Sequence, residues 1–578
     1  MIRFRTIAKS ATATLTLALL GACGGGAGEA NSQLAGTVGV GNTPPVVLPP
    51  IAAPDASLPT LTLPATVANG TVVELACGRT YRGSLDLRGK SDVTVRTAGD
   101  CGPAVITAGQ PITGWTHHQG QIYSVPLGFD AAQVLIDGQP VAKAHWPNRP
   151  QTWASATGSG ANWIGYAMPN ADLTDATLIF RAHDWAIEGR RITGYANGVM
   201  NLASLNDAAF GGYAPGGQPT FYVEGKLWML DAPGEWAMAN GRLYLWAPDG
   251  QSPEGRVWAA ADQHGIQAGN SSNVSVQNID IFATATGIHA DGARNLKVNG
   301  VAISNASRYG IWNSGGSGLL VDGATLRNIR HDAIAVRWGG GGEVIQNSRI
   351  EAAGVVGMQT NSRAAINLTL TSNSTIQNNT VKDSGYIGIR FFRDSVVRNN
   401  TVATTCLVLT DCGAIYGSAA DQSPLNSRVE GNTVSGAGLG QRLAWGMFID
   451  DADNVIVSGN RFSGNANGLM VLDGGANTIT GNIFETSRQS HLQMAESSGA
   501  AKVRNNSVTG NTFSARDGEE TYRVSSDLGS TSVLQFGVFD ANTHVSSSPV
   551  FANFNGAALS FGQWRTQTGK DANSTYQP

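Results

Sequence analysis

Two short phrases in the second half of the chain carry carboxylates in an arrangement suited to acid–base chemistry. Asp411 precedes Cys-Gly-Ala-Ile-Tyr416, and Asp450-Asp451 ends the phrase that begins at Gly446. On adjacent strands of a sheet, these carboxylates would lie close together. Glycosidic cleavage needs such a pair, because one carboxyl group protonates the leaving oxygen and another attacks or activates water. Mutual crowding would push the two pKa values apart and so separate the acid from the base.

Ordinary turn composition is the alternative explanation for these acids. Asp450 and Asp451 stand in Asp-Asp-Ala-Asp-Asn, which is typical of a turn, and this interpretation stays open at this stage. The dipeptide His331-Asp332 could also be an acid–base pair, but we expect it in a solvated turn.

The strands that would hold these residues follow from a phrase that recurs between about residues 273 and 513. It reads [Val/Ile]-x-x-Asn-x-[Val/Phe], and its shortest repeats are 21 or 22 residues apart. The asparagine position is filled by Asn379, Asn400, Asn432, Asn460, Asn482 and Asn511, after looser copies with Ile279, Val301, Ala324 and Ser348. Apolar residues two apart predict strands, asparagine suits a left-handed bend, and a fixed short period predicts stacked units. The sequence therefore predicts an all-β fold, a right-handed parallel β-helix.

A second column of the repeat predicts a polar groove. A glycine or alanine opens each short apolar strand, and the side chains two and four residues later share one face, stacked about 4.8 Å apart. This face carries His289, Asp291, Arg337, Asn367, Arg390 and Asp450, with Tyr416 on a neighbouring strand. We expect it to bind an extended polar polymer. Arg337, Arg390 and Arg393 could hold a uronate carboxylate, or they could balance nearby aspartates structurally.

The composition excludes some partners. Among 578 residues there are 73 glycines, only 14% of residues are charged, and the formal net charge is −4. Many glycines and few charges fit tight turns between short strands. Nucleic acid is not expected as a partner, because the chain has no strong basic field. We expect a monomer.

The N-terminus has the pattern of an export signal. Arg3, Arg5 and Lys9 precede an apolar stretch that ends in Leu-Gly-Ala-Cys23. This ending resembles the lipobox of bacterial lipoproteins, which implies a signal peptide at 1–23, lipidation of Cys23 and anchoring to the outer membrane. A plain secretory signal is the alternative. Residues 24–58 are rich in glycine, proline and alanine and predict a flexible tether, so that the chain meets the membrane only through its lipid.

The remaining cysteines fit an oxidising compartment. Cys77, Cys101, Cys406 and Cys412 are left after Cys23, and their order suggests the pairs Cys77–Cys101 and Cys406–Cys412. We expect no metal site and no cofactor, since the chain has no CxxC and no histidine-rich partner for these thiols.

The rest of the chain divides by pattern. Residues 59–150 predict N-terminal coils and a hairpin, 151–255 a β-rich insert, 256–515 the continuous β-helix, and 516–578 a C-terminal cap. The insert contains six tryptophans, which we expect in its core rather than as sugar platforms: Trp153, Trp163, Trp185, Trp228, Trp236 and Trp246.

The two acidic phrases resemble the D-x-G-A-I-Y and G-I-Y-L-D-D phrases of bacterial β-helical glycoside hydrolases. Families 120 and 141, within the pectate-lyase-like superfamily, are the ones suggested. Their N-terminal region resembles Ile112-Thr-Gly-Trp115, Ile122-Tyr123, Asp137-Gly-Gln-Pro140, Ala144 to Asn148, Gly234-Glu235-Trp236 and Leu243-Tyr244. The resemblance implies that Asp411 and either Asp450 or Asp451 are catalytic. This chain departs from the pattern with Cys412 in place of glycine and Met447-Phe448 in place of Ile-Tyr.

Three functions are compatible with the sequence. A polysaccharide-cleaving glycoside hydrolase is favoured by the paired aspartates. A polysaccharide lyase would need a base such as Arg390 or Tyr416 and a cation to neutralise a uronate, and the coils lack an evident calcium cluster. A non-catalytic glycan-binding protein would show a blander face than this polar column.

Overall fold

The computed structural model describes residues 53–148, 153–204, 212–355, 364–419, 424–439 and 443–578. The predicted signal peptide with Cys23, and most of the predicted tether, lie outside these residues. Within the described ranges, no helix has the length and apolarity needed to cross a membrane.

Three long sheets form the body of the molecule, and the chain visits them in turn. Each coil passes from the second sheet to the first, then to the third, and each strand pairs in parallel with its counterpart in the next coil. The predicted right-handed parallel β-helix is therefore confirmed. In the described residues the first sheet comprises Leu61–Thr62, Thr80–Arg82, Ala104–Thr107, Ile279–Thr284, Ala302–Ala306, Thr325–Ile329, Arg349–Ala353, Thr380–Lys382, Thr401–Ala403, Thr433–Ser435, Arg461–Ser463, Ile483–Glu485, Thr512–Ala515, Thr543–Ser546 and Thr575–Gln577.

The second and third sheets run beside it. The second comprises Val72–Ala76, Thr94–Ala98, Ser275–Gln277, Lys297–Asn299, Leu320–Asp322, Val344–Gln346, Thr375–Gln377, Val396–Arg398, Ser427–Glu430, Val455–Ser458, Thr478–Thr480, Asn506–Thr509 and Gly537–Asp540. The third comprises Leu85–Asp86, Ile266–Gln267, Ile288–His289, Ile311–Ser314, Ile334–Arg337, Ala364–Thr369, Ile387–Phe391, Cys412–Ser418, Ala444–Asp450, Asn467–Leu472, Ser490–Glu496, Glu520–Ser526, Ala552–Phe554 and, antiparallel, Ala557–Leu559.

The insert begins earlier than predicted. Ile279–Thr284 pairs directly with Ala104–Thr107, so the coils on either side of residues 109–260 are neighbours in space. The hairpin near 133–140, assigned from sequence to the N-terminal coils, belongs to the insert. One insert sheet comprises Gly109–Ile112, Val257–Ala260, Gln133–Ile136, Gln139–Lys143, Glu235–Ala239, Arg242–Trp246, Ile122–Pro126 and Thr116–Gln119. The other comprises His145–Trp146, Thr220–Glu224, Thr177–His183, Ala186–Ala196, Val199–Leu202, Trp163–Gly165 and Gly158–Gly160, with Ala154–Ser155 beside Thr220–Glu224, and a 3₁₀ turn at Leu227–Met229 follows.

Buried asparagines join the coils at the corner between the second and first sheets. The side chain of Asn432 donates to the carbonyl of Val397 and to Oδ1 of Asn460, both at 2.9 Å. Its own Oδ1 accepts from the backbone N–H and the side chain of Asn400. The same pattern links Asn379, Asn400, Asn432, Asn460, Asn482, Asn511 and Asn542. The left-handed bend falls one residue earlier than expected, at Asn378, Asn399, Gly431, Gly459, Gly481 and Gly510.

The C-terminal segment continues the coils and then closes them. Strands of all three sheets occur after residue 515, with a short helix at Ser530–Val533 and another at Phe561–Thr568. Ser560 caps the second helix and Gly569, in a left-handed conformation, ends it. Trp564 of this helix is fully buried, so the helix covers the apolar end of the last coils.

We predict that Asn432→Ala destabilises the fold strongly. The change leaves the backbone N–H of Asn400 and the carbonyl of Val397 without these partners, at a cost of about 1–3 kcal/mol for each buried group. Urea unfolding followed by circular dichroism measures the loss. Thr433→Ala, at the exposed neighbouring position, is the control and should change stability little. Equal stability losses in the two variants would contradict a stabilising role for the column of hydrogen-bonded asparagines, which we call the asparagine ladder.

Candidate active site

The outward face of the third sheet carries one unbroken column of side chains. Parallel pairing aligns His289, Trp312, Ala335, Asn367, Arg390, Tyr416, Phe448, Met470 and Gln493. His289 and Tyr416 are five coils apart, or about 24 Å at the usual strand spacing. Of the residues predicted to share one polar face, His289, Asn367 and Arg390 stand in this column, which apolar residues interrupt. Arg337 and Asp450 lie outside it, opposite Thr369 and Ser418, so the polar face is less continuous than predicted.

The N-terminal part of the column is tied into internal contacts. His289 stacks on His264 with ring centroids 4.4 Å apart and lies 3.6 Å from a carboxylate oxygen of Asp291. Burial, followed by the charges of His289 and Arg308, lowers the pKa of His264 to about 4. His289 is only partly exposed, far from the aspartate pair.

Arg337 and Asn367 converge on a buried carboxylate. Asp332 is fully buried and accepts from Arg337 at 3.1 Å, from the side chain of Asn367 at 2.9 Å and from the backbone N–H of Ala364 at 2.9 Å. The solvated turn expected at this dipeptide is wrong, because Asp332 is inside the molecule, and burial lowers the pKa of His331 to about 4. Arg337 and Asn367, predicted as substrate ligands, are themselves buried and hold the coil together at this point.

Asp411 lies where a strand of the third sheet bends sharply. Its backbone N–H donates to the carbonyl of Leu443 at 2.7 Å, its own carbonyl accepts from the hydroxyl of Tyr386 at 2.8 Å, and its φ is 54°. Gly413 pairs with Trp445, yet a Cβ on Gly413 would lie 2.8 Å from Cβ of Phe448, three residues further along. The chain at Gly413 therefore lies too close to the next coil for any side chain larger than hydrogen.

Asp450 ends the next strand, opposite Ser418, and its charge acts on Asp411 by raising the pKa of that carboxyl group. The hydroxyl of Tyr416 donates to Oδ2 of Asp450 at 2.6 Å, and the guanidinium of Arg390 lies over the ring of Tyr416 at 5.3 Å. Asp451, in contrast, has a φ of 51° and forms an ion pair with Lys502 at 2.9 Å. Of the two adjacent aspartates, the geometry favours Asp450 as the functional one.

The environments of the two carboxylates differ. Burial raises the pKa of Asp411 to about 6, and the charges of Asp450 and Asp184 add to the increase. Burial also raises the pKa of Asp450, but the Tyr416 hydroxyl and the charge of Arg390 oppose this by favouring its ionised form. Burial, with the charge of Asp450, raises the pKa of Tyr416 well above its usual value, so this phenol keeps its proton. The arrangement can hold one proton on Asp411 and a negative charge on Asp450.

The insert supplies a residue that the sequence analysis missed. Asp184 lies at the tip of the hairpin formed by Thr177–His183 and Ala186–Ala196, and its carbonyl accepts from the N–H of Thr410 at 3.0 Å. Arg181 donates to the carbonyl of Val408, also at 3.0 Å. The apolar runs around His183-Asp184-Trp185 are a hairpin signal, although nothing in them indicates which coil the tip contacts.

The disulfide Cys406–Cys412 closes the loop that carries Asp411, with Cα atoms 5.9 Å apart. Both sulfurs are buried among residues of the insert and of the coils. The other pair, Cys77–Cys101, links two early coils.

Arg393, predicted from the sequence to bind substrate, lies over the ring of Phe392 at 4.8 Å. In the described part of the chain, no group of three or more His, Cys, Asp or Glu residues is arranged to hold a metal ion.

Comparison with known proteins places the fold in a wider class. The family model described as "Right handed beta helix region" matches residues 264–434 and 414–525. A solved glycoside hydrolase is similar over 72% of this chain and 89% of its own, with 13% identity and a TM-score of 0.51. These similarities agree with the right-handed β-helix fold described above.

Weaker similarities accompany this one. The complex of XylC with xylose is matched over 87% of this chain and 78% of its own, with 11% identity and a TM-score of 0.33. The A-module of the Azotobacter vinelandii mannuronan C-5 epimerase AlgE6 is matched over 55% and 75%, with 14% identity and a TM-score of 0.30. None of the curated proteins compared with the chain matches it.

We predict that Asp184→Asn lowers the pKa of Asp411. Removing a negative charge near a carboxyl group makes its ionised form less unfavourable, so its pKa must fall. Carbon-13 NMR of aspartate-labelled protein measures the titration directly. Asp175→Asn, an exposed aspartate of the same insert paired with Arg191, is the matched control and should leave the titration unchanged. An unchanged Asp411 titration in Asp184→Asn would show that the hairpin tip does not act on this carboxyl group.

Proposed function

We propose that the protein is a glycoside hydrolase that cleaves a polysaccharide by means of Asp411 and Asp450. The observation that carries the proposal is a pair of partly buried carboxylates with unequal surroundings, in which the charge of Asp450 helps to raise the pKa of Asp411 and Tyr416 binds Asp450. The fold is one that carbohydrate-active proteins use, among them the glycoside hydrolase that it resembles.

Asp411 is the general acid in this proposal. A pKa of about 6 keeps much of the group protonated in mildly acidic to neutral solution, which lets it deliver a proton to the leaving oxygen. Its backbone is fixed on both sides by the Leu443 and Tyr386 hydrogen bonds. A fixed acid loses little entropy when it meets the glycosidic oxygen.

Asp450 is the ionised partner, acting on the anomeric carbon directly or through a water molecule. The Tyr416 hydroxyl orients Oδ2, and Arg390 adds positive charge next to it. Tyr416 and Arg390 are thus positioning residues that also line the substrate path. Asp451 has no part in this chemistry, because Lys502 engages it.

The lyase alternative is less well supported. A lyase would use Tyr416 or Arg390 as its base, but the raised pKa of Tyr416 opposes loss of its proton. The two mechanisms leave different products, since hydrolysis gives only new reducing ends and elimination also gives an unsaturated sugar that absorbs ultraviolet light.

Asp411→Asn and Asp450→Asn should each lower kcat/KM by about 10²- to 10⁴-fold, because each removes one proton-transfer or charge-stabilising step. The assay uses a panel of neutral and uronate polysaccharides and records reducing ends and ultraviolet absorbance together. Asp451→Asn and the exposed Asp394→Asn are matched controls that should retain most activity. Absorbance rising in step with reducing ends would refute the hydrolase, as would full activity in the Asp411 and Asp450 variants.

The location is a further part of the proposal. A Leu-Gly-Ala-Cys23 sequence after a basic and apolar start supports a lipoprotein anchored to the outer membrane. Two disulfides fit an oxidising compartment.

Cys23→Ala should move the protein from the membrane fraction to the soluble fraction, because it removes the thiol that would carry the lipid. Fractionation of cells and detergent phase partitioning measure the change. Ala22→Gly, which keeps a small residue before the cysteine, is the control. Unchanged partitioning in Cys23→Ala would contradict the anchor.

A further inference from the structure

The hairpin tip of the insert presents an exposed aromatic ring next to the loop that carries Asp411. Trp185 is 41% exposed, although tryptophans of this insert were expected in the core. His183 stacks flat against it, with ring centroids 4.6 Å apart and planes 5° apart. Tyr213 packs edge-on against His183 at 4.8 Å. The indole is therefore supported on one face, while much of its remaining surface meets solvent.

The tip is fastened to the candidate active site by backbone contacts. Thr410, the residue before Asp411, donates to the carbonyl of Asp184, the residue before Trp185. Ile179 on the first strand of the hairpin and Ile187 on the second belong to one buried cluster with Cys406 and Cys412. The position of Trp185 relative to Asp411 is thus set by the same contacts that set the acid.

A supported aromatic ring open to solvent suits one class of ligand. Pyranose rings have an apolar face of C–H groups that covers an aromatic ring while the hydroxyls stay hydrated, and burying that ring removes apolar surface from water. Trp236 of the same insert, in contrast, is 1% exposed and belongs to the core. Trp185 differs from it in being supported from below and open above.

We propose that Trp185 forms a sugar-binding subsite for the leaving-group side of the substrate. The assignment of the side rests on the proposed function. If Asp411 protonates the leaving oxygen, the sugar ring nearest Asp411 and away from Asp450 is the leaving one. The stacking itself needs only a saccharide chain that passes the hairpin tip.

Binding is tested by calorimetry with three probes: the hexasaccharides of xylan, cellulose and polygalacturonate. The full chain carrying Asp411→Asn is used to prevent turnover. One of the three hexasaccharides should bind to this variant. Adding Trp185→Ala should raise the Kd for that hexasaccharide by about tenfold or more. Trp185→Phe should recover part of the loss, because a smaller ring still stacks. Trp163→Ala, on a ring of the same insert that is 39% exposed, should leave the affinity unchanged.

The leaving side is tested kinetically in the otherwise unchanged enzyme. Trp185→Ala should lower kcat/KM for the hexasaccharide by about tenfold but change it less than about twofold for an aryl glycoside, which has no leaving sugar. An equal loss with both substrates would overturn the side assignment.

The outcomes separate the two proposals. Affinity unchanged by Trp185→Ala, an equal loss in Trp163→Ala, or no binding of any probe would overturn the subsite. Continued hydrolysis by Asp411→Asn would refute the acid, whereas a loss of affinity confined to Trp185→Ala would still support the platform.

Discussion

Buried backbone groups at the corner between the second and first sheets have to be hydrogen-bonded, and this requirement sets the register of the coils on which the candidate site lies. The turn at this corner interrupts the pairing of strands inside an apolar core, where an unpaired amide costs free energy. Each of these stacked asparagines satisfies a backbone N–H and a backbone carbonyl of the preceding coil, as Asn432 does for Asn400 and Val397. From Asn379 to Asn542, the asparagine of each coil bonds to that of the next, so these coils cannot slip relative to each other and their other columns of side chains keep the same register.

The candidate active site depends on that register but also departs from its regularity. Tyr416 and Asp450 can form a hydrogen bond because their strands are held in neighbouring coils with Ser418 opposite Asp450. Asp411, however, has a left-handed backbone conformation, two residues before the close approach of Gly413 to the next coil. Conformations of this kind persist only where the surroundings determine them strongly. A disulfide, two backbone hydrogen bonds and the insert supply that support here.

The sequence predicts the repeating coils of this fold but not the contacts that occur only once in it. The spacing of Asn379, Asn400 and their successors predicts the coils and the stacking of their strands, because a period reports directly on stacking. It places the left-handed bend one residue late, since glycine and asparagine both occur just before the ladder position. Burial of Arg337 and Asn367 around Asp332 was not predictable, because alternation gives the face of a strand but not what covers it. The contact of Asp184 with Thr410 lies beyond any pattern, since it joins residues more than two hundred positions apart.

The two parts of the molecule thus hold different halves of the site. Coils of the β-helix carry Asp450, Tyr416 and Arg390 in a register that the ladder fixes, so these groups cannot vary without disturbing many neighbours. The hairpin of the insert packs on the coils through Ile179 and Ile187, but its tip residues 183–185 are exposed. Changes there cost little stability, because exposed positions away from packed contacts tolerate substitution. Under the proposed function, a substrate that reaches both Asp411 and the hairpin tip would contact a structurally constrained surface on the β-helix and a freely substituted one on the insert, so we expect changes in sugar preference to arise more readily in the insert than in the β-helix.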